Sequence, residues 1–502
     1  MRYITLGCIA LLMVSATANA EWVEASSDHF VIYGEDERDV RGFADRLERF
    51  HAAMAHVYVK PQAKPGPSNR VTIFVVSSAS KVRKVAGIQN KYVAGFYLPR
   101  AGASVAVIPN LGRASSRFDM SATTILYHEY AHHFMRAALT TRAFPMWFTE
   151  GFAEFFAGAH FREDGTVLLG TPANHRALEI AFTAEVPIRT LLAFDVDPTA
   201  AKARYDSFYG RSWALFHYLQ MAPERAGQLS RYQQQLTAGR SALEAAEGAF
   251  GDLDRLENDV GYYMKRKRLS AMVVDGAALN IGPIVLRELR PGEAAMLPTM
   301  MESKLGVTDE EARALVPEAR KVAEQYPNDP AVLAALAEAE FDAGNDDAAI
   351  AAADRAIAID AKLINAHIQK CYALAHKVES GALPKESWKD VRSVFIKANS
   401  VENDHPVPLI QFYDTYRNEG EPPTRNAIAG LEWALELAPF DSSLRWLVTQ
   451  QMIRDERYQD AAQTLAPLAY SPHPGEHTDR ARQLLKDVEG KLGQQASTDA
   501  RQ

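Results

Sequence analysis

Apolar residues recur at helical spacing between residues 38 and 57, with Phe43, Leu47, Phe50 and Met54 on one face. That segment is predicted to be an amphipathic helix. Just before it, residues 29–33 (His-Phe-Val-Ile-Tyr) read as a strand. Residues 61–68 are rich in Pro and Gly and mark a turn, after which the β-branched and aromatic run at 71–76 predicts a buried strand. Residues 95–98 and 104–109 pattern as two strands joined by a hairpin at 99–102. From Ser121 onward helical patterns dominate. Strands early and helices late define an α+β chain.

Near residue 311 the pattern changes again. Alanine becomes dense and helices run in pairs. Prolines 406, 439 and 472 stand 33 apart, and a period near 34 built from two helices is the tetratricopeptide signature. Residues 329–361 resemble that family, with Leu336, Ala337, Gly344, Ala348, Ala349 and Ala356 at its small and apolar places. Residues 433–439 close another unit and residues 458–462 open the second helix of the last. The 360–406 unit carries roughly eleven extra residues. Cys371 falls within a helical pattern and reads as core.

Composition narrows the function classes. The chain has 502 residues, too many for one core, so two or three domains are expected. Net charge is −8 with no long basic run, which argues against nucleic acid as a partner. The cluster Lys265-Arg266-Lys267-Arg268 reads as a solvated helix face. Arg2, the apolar residues 4–14 and Ala18-Asn19-Ala20 form a secretory signal pattern over residues 1–20. No later apolar stretch is long enough to span a bilayer as a helix. Cys8 belongs to the signal, leaving Cys371 without a partner, which fits an exported protein of a bacterial periplasm better than an animal extracellular one.

The informative chemistry lies at His128-Glu129-Tyr130-Ala131-His132. Helical residues four apart lie about 40° from one another, so both imidazoles face one way. Two neutral imidazoles suit zinc, which as a catalytic ion takes three protein ligands and keeps one position open. Glu129 sits beside that face, in reach of a metal-bound water. Met135 and Ala138 stand where the metzincin pattern needs Gly and His, which excludes that class. Downstream, Glu150 and Glu154 share one face of a helix opened by Pro145 and crowded with aromatics. Unpaired carboxylates there would be costly. Glu150 is assigned as the third metal ligand. Glu154 is assigned as acceptor of a ligand histidine's other N–H.

These residues, followed by Trp147-Phe148-Thr149-Glu150-Gly151-Phe152-Ala153, resemble the gluzincin metallopeptidases, the group of thermolysin and the zinc aminopeptidases. The resemblance covers roughly residues 22–265 and implies zinc on His128, His132 and Glu150, with Glu129 as general base. Seventeen residues separate His132 from Glu150, slightly fewer than those families leave. Residues 209–219 are similar to the aminopeptidase segment whose tyrosine stabilises the oxyanion. Tyr209 is thereby implied in that role, with Tyr205 in reserve. His217 and Tyr218 read as structural, and His133, His160 and His175 carry no partner pattern. The G-x-M-E-N motif that holds a free amino end is absent, so an endopeptidase is expected rather than an aminopeptidase. An edge strand near residues 95–109 is expected to pair with an extended substrate.

The resulting expectation is a signal at 1–20, a gluzincin-like domain at 21–270, a connector at 271–310, an all-α tetratricopeptide-like domain at 311–490 and a disordered tail at 491–502. It predicts an exported zinc peptidase acting on peptides or proteins, with a protein partner at the repeats. The alternative is an inactive, zinc-retaining scaffold that binds through them.

Overall fold

The computed structural model describes residues 22–58, 64–87, 95–109, 121–138, 144–194, 207–471 and 476–499. The signal segment and Tyr205 lie outside them. The chain opens with β1 (Val23–Ser26) and β2 (Phe30–Gly34), followed by helix α1 (Glu37–Tyr58). Next come β3 (Val71–Val76), α2 (Ala79–Val85) and the hairpin of β4 (Phe96–Leu98) with β5 (Val105–Pro109). Helices α3 (Ala122–Ala138) and α4 (Met146–Ala157) then carry His128, Glu129 and His132, and Glu150 and Glu154.

The strands form a six-stranded sheet in the order β4-β5-β3-β2-β1-β6, where β6 is Val285–Glu288. β2, β3 and β5 run parallel, while β1, β4 and β6 pair antiparallel with their neighbours. The apolar run of β3 exists because both faces of the sheet are covered. Ile73, Ala106 and Ile108 pack under Phe43, Leu47 and Phe50 of α1 and Leu126 and Phe134 of α3. Phe74, Val76, Val105 and Val107 face the other way, against Val82 of α2 and Leu297 and Met301 of the Pro291–Leu305 helix.

That arrangement corrects the expected connector at 271–310. Met272–Val274 is a strand completing a second, three-stranded sheet, β6 extends the main sheet, and the 291–305 helix covers its far face. The segment is short on sequence periodicity because each piece is held by a different partner. A last helix runs Glu476–Asp499, seated by Ala481, Leu485 and Val488 in the last two cores, so the expected tail at 491–502 begins within a helix, and its residues 500–502 lie outside the described ones. The basic cluster follows the helix Leu253–Met264 rather than lying on it, with Arg266 over the Tyr263 ring.

Beyond Thr308 the chain is helical among the described residues. Pairs 330–342/346–359, 364–379/388–401, 406–419/425–437 and 442–454/458–469 stack in sequence. Small cores run along the stack, one of them shared by the third and fourth pairs, and Cys371 is buried in the core of the second pair, as expected. The array is docked on the sheet domain. Glu402 accepts from Ser68 N at 2.9 Å and Ser68 Oγ at 2.8 Å, Asn69 donates to Leu437 O at 2.6 Å, and Asp441 accepts from Ala101 N at 2.7 Å. His133 packs on Phe440 with ring centres 4.0 Å apart.

Candidate metal centre

α3 presents its two motif histidines one turn apart, and α4 crosses beside it. All twelve residues of α4 are buried, so its carboxylates are carried into the core by the aromatics around them. α4 lies close to the Phe208–Met221 helix because Gly151 has no side chain. A Cβ there would stand 2.6 Å from Ser212 O and 2.8 Å from Phe216 Cβ.

Three donor atoms converge. His128 Nε2 and His132 Nε2 are 3.1 Å apart, and Glu150 Oε2 is 3.2 Å from the first and 3.6 Å from the second. Zinc bonds of about 2.0–2.2 Å at the tetrahedral angle place neighbouring donors about 3.3–3.6 Å apart. One side, 3.6 Å, lies in that range and the other two, 3.1 and 3.2 Å, fall just short of it, so the triangle is close to what one such ion needs. Among the described residues this is the only group of three or more His, Cys, Asp or Glu ligand atoms gathered in that way. Glu150 is fully buried, and apart from His128 and His132 neither of its oxygens has a partner among the described residues. A buried carboxylate so placed is costly without a cation.

Glu154 is tied to the same cluster from behind. His128 Nδ1 lies 3.3 Å from Glu154 Oε1, so that ring turns one nitrogen to each carboxylate. His175 Nε2 meets Glu154 Oε2 at 2.6 Å, and Arg176 Nε donates to Oε1 at 2.9 Å. His175 and Arg176 were not legible in sequence: they sit 21 and 22 residues past Glu154, on a short turn, with no periodic relation to it. The available signal was electrostatic, a basic pair following two carboxylates that need neutralising.

The electrostatics favour a positive guest. Burial alone lowers the His128 pKa, but Glu150 and Glu154 outweigh it and raise it to about 10. Burial raises the Glu150 carboxyl, yet His132 and His128 bring it down to about 2. Glu154 is held well below its ordinary value by His128, His175 and Arg176 against the pull of burial. A proton and a metal ion compete for the same imidazole lone pair.

Glu129 is half-buried on α3, and its field reaches Tyr97 and Tyr209. Tyr209 lies in the first turn of its helix, its ring 6.5 Å from that of His128 and 4.7 Å beneath the Arg176 guanidinium. Burial and Glu150 push its hydroxyl up to about 12, so it stays a donor. His217 is structural, bonded to Gly170 O at 2.8 Å and Tyr263 OH at 2.9 Å. His133 bonds Tyr97 of β4 at 2.7 Å. β4 is an edge strand among the described residues.

No protein-family model matches the chain, and no curated protein does. Among solved structures, it is similar to TTC0263, a thermophilic TPR protein of Thermus thermophilus. That match has 18% identity and a TM-score of 0.32, covering 39% of this chain and 98% of the other. MamA matches at 13% identity and a TM-score of 0.26, covering 42% of this chain and 99% of the other.

Proposed function

We propose that the protein is a zinc-dependent peptidase of the gluzincin type. The observation that carries this is the triangle of His128 Nε2, His132 Nε2 and Glu150 Oε2, with sides of 3.1, 3.2 and 3.6 Å, around a carboxylate that has no other partner among the described residues. His128, His132 and Glu150 would hold the ion, and Glu154 would fix the orientation of the His128 ring. A bound zinc ion supplies a Lewis acid that acidifies water and polarises a carbonyl. Glu129 takes the proton of the attacking water and returns it to the leaving amine. The Tyr209 hydroxyl donates to the developing oxyanion. The edge of β4 offers backbone groups to an extended peptide.

The purified chain is expected to hold about one zinc ion, as a three-ligand site requires. Peptide cleavage should stop on chelation and return with zinc. Glu129→Gln should keep the metal and lose turnover; full activity in that variant would defeat the mechanism.

A second reading is favoured by the stacked helix pairs. There the repeats hold a protein partner and the metal is structural. It has no use for a base at Glu129, and it predicts a metal-replete protein that cleaves no peptide.

A further inference from the structure

The helix Phe208–Met221 carries Tyr209 in its first turn, where backbone N–H groups have no partner within the helix and the end is prone to fray. Its own N-cap residue, Ser207, does not cap it: the hydroxyl donates instead to Ala184 O. Another element serves in its place. The N–H of Gly210, next to Tyr209, donates to Glu179 Oε1 at 2.7 Å, from the short helix Ala177–Phe182. The helix dipole also favours a carboxylate there. So close an approach needs a glycine, since a Cβ at position 210 would stand 2.6 Å from Ile180 Cγ1 and 3.3 Å from Glu179 Oε1. Glu179 is itself held. Its Oε2 lies 3.4 Å from Arg176 Nη1, and Arg176 Nε donates to Glu154 Oε1 at 2.9 Å. The same guanidinium lies 4.7 Å from the centre of the Tyr209 ring. Glu154 in turn faces His128 Nδ1 at 3.3 Å. An unbroken run of contacts thus ties a candidate metal-ligand imidazole to the backbone beside Tyr209. A helix cap requires only an acceptor; here the acceptor is shared with the arginine that grips Glu154.

We propose that Glu179 is a positioning residue that fixes Tyr209 relative to the metal ligands, through Gly210 N on one side and Arg176 on the other. The proposal rests on the peptidase reading above and adds the device that sets its oxyanion donor. Such a donor acts within about 2.7–3.1 Å of the oxyanion, and a displacement of about 1 Å can cost about a hundredfold in rate. Glu179 removes the freedom of the turn in which that displacement would arise.

The test is a double-mutant cycle on turnover. The substrate is the peptide that the zinc-loaded full chain cleaves fastest from a quenched fluorescent library. Glu179→Ala is expected to lower kcat about 10–100-fold, with KM and zinc content little changed. In a Tyr209→Phe background the same substitution should cost about twofold or less, because the group it positions is gone. Glu179→Gln keeps an acceptor for Gly210 N and should retain most of the turnover. Glu179→Asp, a methylene shorter, should lose it, and takes the place of the alanine variant if that one fails to fold; unfolding midpoints are recorded for all. A cap that serves stability alone would lower the midpoint and cost the same in both backgrounds. Equal fold-losses with and without the Tyr209 hydroxyl, an unchanged kcat in Glu179→Ala and Glu179→Asp, or a loss that follows zinc content overturns the proposal. The two failures are distinguishable. A zinc-loaded chain that cleaves no library peptide loses the peptidase reading and this role with it. Cleavage with equal losses in both backgrounds loses the positioning role alone.

Discussion

At the residue scale the candidate metal centre is a problem of charge. Glu150 and Glu154 are both fully buried on one face of α4, and only Arg176 offers a permanent positive charge in contact with either among the described residues. The deficit falls on the His128 and His132 pair, by proton or by metal. Glu154→Gln should keep the shape but weaken the hold on His128 Nδ1, lowering zinc affinity about 10–100-fold in a chelator competition. Arg176→Met should act in the same direction and also loosen Tyr209, whose ring lies under the guanidinium. Tyr209→Phe is expected to cut turnover about a hundredfold, the worth of one oxyanion donor at about 3 kcal/mol, with zinc content unchanged. A fall in zinc content with that variant would mark Tyr209 as a packing residue instead.

At the element scale α4 is the sensitive member. It is buried on every side, with Trp147 Nε1 donating to Tyr232 OH at 3.2 Å and Gly151 against the Phe208–Met221 backbone. Gly151→Ala forces the two helices apart and should cost about 1–3 kcal/mol by denaturant unfolding. Because α4 packs on α3 as well as on the Phe208–Met221 helix, a shift of α4 should also lower zinc affinity although the variant touches no proposed ligand. If the folded chain binds zinc as proposed, free zinc at about 100 times its Kd should add about 2.7 kcal/mol to stability, lost on chelation. An unfolding midpoint indifferent to zinc would argue against a bound ion in the folded state.

At the scale of the whole molecule the repeats are not a free arm. They rest on the sheet domain through Ser68, Asn69, Ala101 and the His133–Phe440 pair, and a cavity of about 270 Å³ lies in that junction behind α3. His405 is a reporter of the junction. It is buried against Gly102, and its Nδ1 accepts from Val407 N at 3.2 Å. Burial, then Lys304, lower its pKa from 6.5 to about 4. As pH falls below about 6.5 the unfolded chain takes up a proton that the folded one refuses. Stability contributed by neutral His405 is therefore complete above about 6.5 and declines until about 4. His405→Asn, which retains a capping acceptor, should flatten that part of a urea-midpoint profile; an unchanged slope would remove His405 as its source.

Short-range features were legible in the sequence because they obey a period. The helix carrying Phe43 and Leu47, the strand at 71–76, the hairpin and the pairing of His128 with His132 all follow from repeats of about 3.6 or 2 residues. So does the choice of residue types that could hold a cation. Tertiary structure alone decided that Glu150 Oε2 meets both imidazoles, that Glu154 gathers His175 and Arg176, and that the segment after residue 271 belongs to two sheets. Those contacts join residues tens to hundreds apart, through loops whose closure no local periodicity encodes. The donor atoms were written in the chain, but their convergence is a property of how α3 and α4 pack.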